Sequence, residues 1–178
     1  MTIYFSMEYV ILHTMLNKLL SFFVSPKPVP AQPAEGRKNY LVIFDGDQIG
    51  TPIASKILGK HREDTKYIWI QTKDEIPNKL KKHLGSIELR IAPKVGKESA
   101  DTLVALLACK EACTNPDIKE IHIMSGDGDI VDMCMSLSTM FPAIMFFAAH
   151  PSTRAIKKVV REAIKKLPSN CKFVRISA

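Results

Sequence analysis

The chain has 178 residues, of which 25 are Lys or Arg, 18 are Asp or Glu and 46% are hydrophobic. This balance excludes an intrinsically disordered chain, and four scattered cysteines exclude a small scaffold held by disulfides. The sequence contains no apolar run of 18 residues and therefore no conventional transmembrane span. Free, buried thiols explain the cysteines best, which predicts a cytoplasmic protein in a reducing compartment.

A helical appendage is predicted at the start of the chain, over residues 1–24. Six apolar residues recur there at spacings of three and four: Leu12, Met15, Leu16, Leu19, Leu20 and Phe23. This spacing defines one apolar stripe of an amphipathic helix, and the segment lacks the basic start of a secretory signal. Packing on the domain, on a second copy or on a membrane surface remains open, and contact with protein is favoured. We therefore expect residues 9–24 to mediate homo-oligomer formation or to bind a partner protein.

A proline-rich linker follows over residues 25–37. Its prolines are Pro26, Pro28, Pro30 and Pro33. Proline at this density removes backbone donors and favours an extended, semi-rigid spacer. The folded domain is then expected over residues 38–178.

Strands and helices alternate through that domain. Apolar, β-rich runs predict strands over residues 40–44, 66–70, 87–92, 118–124, 143–147 and 172–176. Three-four periodicity predicts helices over residues 99–113, 130–140 and 152–167. This alternation predicts an α/β fold with a mostly parallel, doubly wound sheet flanked by helices.

Two of the predicted strands end in acidic turns. Asp45-Gly-Asp47 follows the first strand, and Asp127-Gly-Asp129 follows the fourth. In open α/β sheets the ligand site lies beyond the carboxyl ends of the strands, where the strand order reverses. If these two strands are neighbours, the carboxylates converge and need a cation, for which oxygen ligands favour Mg²⁺ or Mn²⁺. Turns in which Asp caps a helix are the alternative, but their recurrence after two buried strands favours a site.

A third acidic group lies at the start of the helix predicted over residues 99–113. Asp101 falls in its first turn, and Glu98 comes just before the helix. The helix dipole alone explains an acid at this place. Alternatively, the Asp101 carboxylate points over the sheet edge and completes a metal site.

The excess positive charge is concentrated at the end of the chain. From residue 154 onward there are eight Lys or Arg residues and a single acid, Glu162. A focused basic face favours a polyanionic partner, with nucleic acid ahead of an acidic membrane, although it is also compatible with a solvated helix face. The candidate nucleic-acid-binding residues are Arg154, Lys157, Lys158 and Arg161.

Together these segments resemble the NYN branch of the PIN-like nucleases. The matching pieces are Ile43-Phe44-Asp45-Gly46-Asp47, Lys97-Glu98-Ser99-Ala100-Asp101 and Ser125-Gly126-Asp127-Gly128-Asp129. The resemblance spans residues 39–165 and implies a PIN-like, Rossmann-like domain that hydrolyses RNA phosphodiester bonds as a metal-dependent endoribonuclease. It implies that the catalytic and metal-binding acids are Asp45, Asp101, Asp127 and Asp129. The residues supporting these acids or contacting the substrate would be Asp47, Glu98 and Ser125.

Two other functions fit parts of the pattern. A phosphatase resembling the haloacid-dehalogenase superfamily would use Asp45 as its nucleophile and Asp47 as its general acid, with Asp127 and Asp132 in its closing motif. That scheme gives Asp101 no role, so the nuclease interpretation is favoured. The second alternative is a non-catalytic relative that binds RNA or a protein through its basic face and N-terminal helix.

Overall fold

The computed structural model describes residues 38–60, 62–93, 99–151 and 158–176. The predicted N-terminal helix and linker lie outside these ranges, as do Glu98, Arg154 and Lys157 and the side chain of Lys158. All described residues fall in the compact unit Gly36–Ala178.

A six-stranded sheet forms the centre of the described part of the chain. Its strands are β1 Tyr40–Asp45, β2 Thr65–Gln71, β3 Glu88–Ile91, β4 Glu120–Met124, β5 Met145–His150 and β6 Cys171–Arg175. Their spatial order is β3-β2-β1-β4-β5-β6, and every neighbouring pair is parallel. The predicted α/β fold with a mostly parallel sheet is confirmed. The strand order reverses between β1 and β4.

Helices connect the strands along the described chain. They are α1 Thr51–Leu58, α2 Asn78–Lys81, α3 Ser99–Thr114, α4 Ile130–Met140 and α5 Lys158–Ile164. The sequence predicts α3 and α4 closely, but it does not predict α1, which has Pro52 in its first turn and only eight residues. Residues 152–157 of the last predicted helix lie outside the described ranges.

The fifth strand is the one whose bounds differ most from the prediction. It runs over Met145–His150 and not over residues 143–147. Phe141 and Ile144 close a turn after α4, because the Ile144 amide donates to the Phe141 carbonyl at 3.1 Å. The strand therefore begins later and includes His150 as its last residue.

Two apolar layers cover opposite faces of the sheet, because side chains alternate along each strand. One layer contains Ile43, Ile68 and Ile123 beneath α3 and α4. The other contains Phe44 and Trp69 and includes buried residues of α1. Central parallel strands are thus covered on both faces, which explains their continuous apolar sequences.

Trp69 is fully buried, and its ring restricts the turn that follows β1. Its indole nitrogen donates to the Gln71 side-chain oxygen at 2.7 Å. A Cβ atom built on Gly46 would collide with the indole ring. Glycine at this position therefore lets the turn that carries the first acidic motif lie directly against the aromatic core.

We expect Gly46→Ala to destabilise the fold by about 1–3 kcal/mol, because the added methyl group overpacks a core that cannot readily move. Gly85→Ala is the matched control, since an added Cβ there has no neighbour within 4 Å. Urea unfolding of both variants measures the difference. Equal free energies of unfolding would contradict the steric role of Trp69.

Candidate active site

The reversal of strand order brings two acidic turns together. β1 pairs directly with β4, with Phe44 opposite Met124, so the residues that follow each strand meet at one edge of the sheet. The two strands are neighbours, which is the condition for the expected convergence of their carboxylates. This is the position at which open α/β sheets bind ligands.

A pocket at this edge contains the four acids expected to bind metal. Its empty volume is about 310 Å³, including space open to solvent. The lining residues are Asp45, Asp101, Val104, Ile123, Ser125, Asp127, Asp129, Ile130 and Met133. The acids come from three separate places in the chain: the end of β1, the first turn of α3 and the loop between β4 and α4.

Asp45 is the most buried of these acids, with 1% of its surface exposed. Burial raises the pKa of its carboxyl above the ordinary value of 3.8, and the nearby charge of Asp47 adds to this effect. Hydrogen bonds from the Ser125 hydroxyl and from the amides of Asp47 and Gln48 act in the opposite direction. A buried carboxylate in a pocket with other acids is a candidate functional group.

Ser125 connects Asp45 to the acidic loop after β4. Its hydroxyl donates to Asp45 Oδ2 at 2.7 Å and accepts from the Asp127 amide at 3.0 Å. The Ser125 amide donates to the Ala149 carbonyl at 3.1 Å. One buried serine thus joins β1, β5 and the acidic loop.

Asp127 and Asp129 form the exposed part of the acidic group. The Asp129 amide donates to Asp127 Oδ1 at 3.2 Å, which holds the loop in a compact turn. Both side chains are exposed, in contrast to Asp45. Asp45 is therefore fixed by its surroundings, whereas the other two acids face solvent.

Asp101 is half-buried in the first turn of α3, a helix that lies against β1 and β2. An acid in this turn is stabilised by the helix dipole. The same residue lines the pocket beside Asp45. The helix dipole therefore accounts for the stability of an acid at this position, and the place of Asp101 in the pocket makes it a candidate functional residue as well.

Asp47 occupies a different place from the pocket acids. It is exposed, and its Oδ2 accepts from the Thr72 amide at 3.0 Å. This bond ties the turn after β1 to the loop after β2. Asp47 does not line the pocket, but its amide donates to Asp45 Oδ1 at 3.2 Å, so it supports both the turn and the most buried acid.

The donor chemistry of the pocket fits a hard divalent cation, because carboxylate oxygens are the ligands that Mg²⁺ and Mn²⁺ prefer. Across residues 38–60, 62–93, 99–151 and 158–176, however, no three His, Cys, Asp or Glu side chains are close enough together to hold a metal ion. The carboxylate oxygens are therefore suitable ligands, but the carboxylates would have to move closer together to hold a cation.

His150 lies beyond the strand predicted over residues 143–147, and the sequence does not identify it as a site residue. In the structure His150 ends β5, and only 3% of its surface is exposed. Its Nε2 lies 2.8 Å from the Gly126 carbonyl oxygen, within the acidic loop. The apolar run Phe146 to Ala149 continues directly into it, and this continuity was the available sign of a longer strand.

The basic candidates are only partly described. Arg161 is exposed on α5, the helix between β5 and β6. None of the described helices is both long enough and apolar enough to cross a membrane.

Comparison with known proteins shows the fold and no family. No family model matches the chain, and no curated protein matches it. A protein of unknown function from Vibrio parahaemolyticus has a similar structure, with a TM-score of 0.55 and 14% identity over 83% of this chain and 97% of that one. The GsuK RCK domain structure gives a TM-score of 0.45 and 13% identity, over 88% of this chain and 30% of that one.

We expect Asp45→Asn to raise the melting temperature in EDTA at neutral pH, because it removes a buried charge and keeps the shape of the side chain. Since the folded pKa of Asp45 is raised, the wild type loses stability as the pH rises through that pKa. The advantage of the variant should therefore shrink as the pH falls. A gain of about 1 kcal/mol corresponds to roughly 2–4 °C in a protein of this size.

Thermal melts of both proteins across pH measure this difference. Asp132→Asn is the control, because Asp132 is exposed on α4 and does not line the pocket. If Asp45→Asn melted below the wild type at neutral pH, the Asp45 charge would be stabilising and the expected cost of burying it would be wrong.

Proposed function

We propose that the protein is a divalent-metal-dependent endoribonuclease of the NYN/PIN-like type, which hydrolyses RNA phosphodiester bonds at the acidic pocket. One observation carries the proposal. Carboxylates from the end of β1, from α3 and from the β4–α4 loop line a single pocket at the point where the strand order reverses. Helix capping does not account for this grouping, because the N-cap residue of α1 is Gly50 and Asp129, the N-cap residue of α4, makes no side-chain capping hydrogen bond.

The turn after β1 argues against a dinucleotide cofactor. The strand order is shared with dinucleotide-binding folds, in which a G-x-G-x-x-G turn after the first strand holds the pyrophosphate. Here the corresponding residues are Asp45-Gly-Asp47-Gln-Ile-Gly50, which lack that pattern and carry two acids. Negative charge at this place disfavours a bare phosphate group and favours one that arrives with a cation.

Asp45, Asp101, Asp127 and Asp129 are the residues that would hold the cation. When bound, Mg²⁺ or Mn²⁺ supplies Lewis acidity and an activated water for phosphodiester hydrolysis. Asp45 gives the pocket a fixed carboxylate, since Ser125 holds one of its oxygens at 2.7 Å. The exposed Asp127 and Asp129 side chains are free of tight packing and can turn toward it.

The apolar part of the pocket contributes to its electrostatics. Val104, Ile130 and Met133 line the pocket beside the acids and limit the water around Asp45. Interactions between charges are stronger where water is excluded. The pocket therefore suits the stabilisation of charge on a phosphate group during hydrolysis.

The RNA backbone would be bound through the basic end of the chain. Arg154, Lys157, Lys158 and Arg161 are the proposed contacts, of which Arg161 has a described, exposed side chain. Lys and Arg contacts to phosphates carry little sequence preference and weaken steeply with salt. We also propose a cytoplasmic location, and an oligomer or partner contact through residues 9–24.

A phosphatase of the haloacid-dehalogenase type remains the main alternative, because Asp45 and Asp47 also suit that chemistry. Its closing motif requires Asp132, which is exposed on α4 and is not among the pocket residues. Asp101, which that scheme leaves without a role, lines the pocket. Asp132 and Asp101 therefore distinguish the two enzymes.

We expect Mn²⁺ to raise the melting temperature of the wild type relative to EDTA, because a cation that binds only the folded pocket stabilises it. At 100 times the Kd, this linkage amounts to about 2.7 kcal/mol. Asp45→Asn and Asp127→Asn should lose most of the shift, while Asp132→Asn should keep it. Equal shifts in all four proteins would mean that the metal binds elsewhere.

We expect the wild type to cleave labelled single-stranded RNA with Mn²⁺ or Mg²⁺ and to lose this activity in EDTA. Asp101→Asn and Asp127→Asn should reduce cleavage by about 100-fold or more, since a bound ion contributes several kcal/mol of charge stabilisation. Asp132→Asn should remain active.

The alternatives are distinguished in the same assay by a generic phosphomonoester substrate. Turnover of this substrate without RNA cleavage, together with loss of activity in Asp132→Asn, would favour the phosphatase. Wild-type RNA binding without hydrolysis of either substrate would favour the non-catalytic relative.

A further inference from the structure

His150 occupies a buried polar position that the proposed chemistry does not use. It ends β5 next to Ala149, whose carbonyl accepts from the Ser125 amide. Its ring also lies near Phe173 of β6, with 6.4 Å between ring centroids. An imidazole so deeply buried beside an acidic loop is expected to be held there by a specific hydrogen bond.

That hydrogen bond is made to the Gly126 carbonyl, 2.8 Å from His150 Nε2. A carbonyl oxygen only accepts, so Nε2 must carry the hydrogen. The carbonyl belongs to the peptide group that joins Gly126 to Asp127. The amide of this same peptide group donates to the Ser125 hydroxyl at 3.0 Å.

The peptide group before Asp127 is therefore held at both of its polar ends. Beyond it, the Ser125 hydroxyl donates to Asp45 Oδ2, which completes a chain of three hydrogen bonds from His150 to the buried carboxylate. Hydrogen bonds in such a chain polarise and strengthen one another. The direction in which the Asp127 side chain leaves the backbone is set by this peptide plane.

We propose that His150 is a positioning residue for the acidic site. By donating to Gly126, it orients the peptide that places Asp127 and supports the Ser125 hydroxyl that binds Asp45. In this role it would contact neither the cation nor the RNA itself. The effect on metal binding rests on the proposed function, whereas the effect on the loop does not.

His150→Gln and His150→Met test the proposal as a matched pair. The Gln side chain can place an N–H donor near the position of Nε2, whereas Met has similar bulk and no such donor. If His150 merely fills space, both variants should behave alike. If it acts through its donor, Gln should rescue what Met loses.

The first readout is amide hydrogen exchange by NMR in EDTA. In His150→Met we expect the Asp127 amide to exchange about tenfold faster, the equivalent of losing one hydrogen bond. In His150→Gln it should stay close to the wild-type rate. The amides within β1 and β4 should be unchanged in both variants, which shows that the fold is intact.

The second readout is the Kd for Mn²⁺ by titration calorimetry. Loss of a group that orients a metal ligand typically weakens binding by about 10–100-fold. The Kd of His150→Met for Mn²⁺ should therefore rise by this factor, whereas the Kd of His150→Gln should stay close to that of the wild type. Unchanged exchange at Asp127 in His150→Met, or equal losses in both variants, would overturn the proposal. The expected exchange effects with no Mn²⁺ binding by the wild type would support the positioning of the loop and contradict the proposed function.

Discussion

The hydrogen bond between the Ser125 hydroxyl and the Asp45 carboxylate is the interaction on which the candidate site depends. Its 2.7 Å length joins the ends of two strands that are separated by 80 residues in the chain. The bond forms only because β1 and β4 are neighbours, which in turn requires the reversal of strand order. Sheet topology and site chemistry are therefore linked through a single contact.

Under the proposed function, this contact lies where the requirements of stability and of function are in conflict. Asp45 is almost fully buried, and its raised pKa records the cost of keeping a charge away from water. A protein retains such a group where its charge is needed, and the surrounding hydrogen bonds reduce the cost without removing it.

Rigid and adaptable parts of the pocket are clearly separated. Asp45 and Ser125 are buried and hydrogen-bonded to each other, and the Ser125 amide is also held by the Ala149 carbonyl, so the buried side of the pocket cannot easily move. Asp127 and Asp129 lie on an exposed loop, where side chains can change rotamer at low cost. Under the proposed function, a pocket that holds one acid fixed and leaves two others adjustable would close around a cation from one side.

The sequence by itself determined the α/β alternation and the central strands, because buried parallel strands must be apolar throughout. It also located the acids, since Asp45 and Asp127 follow such strands directly. The sequence could not determine the short helix α1, where local propensity is weak, although the apolar run into His150 was a sign that β5 ends later than predicted. Only tertiary structure decided that Asp101 joins the same pocket, that Asp47 does not line it, and that His150 is held within the site. The physical reason is that these outcomes depend on contacts between residues far apart in the chain, which no local pattern encodes.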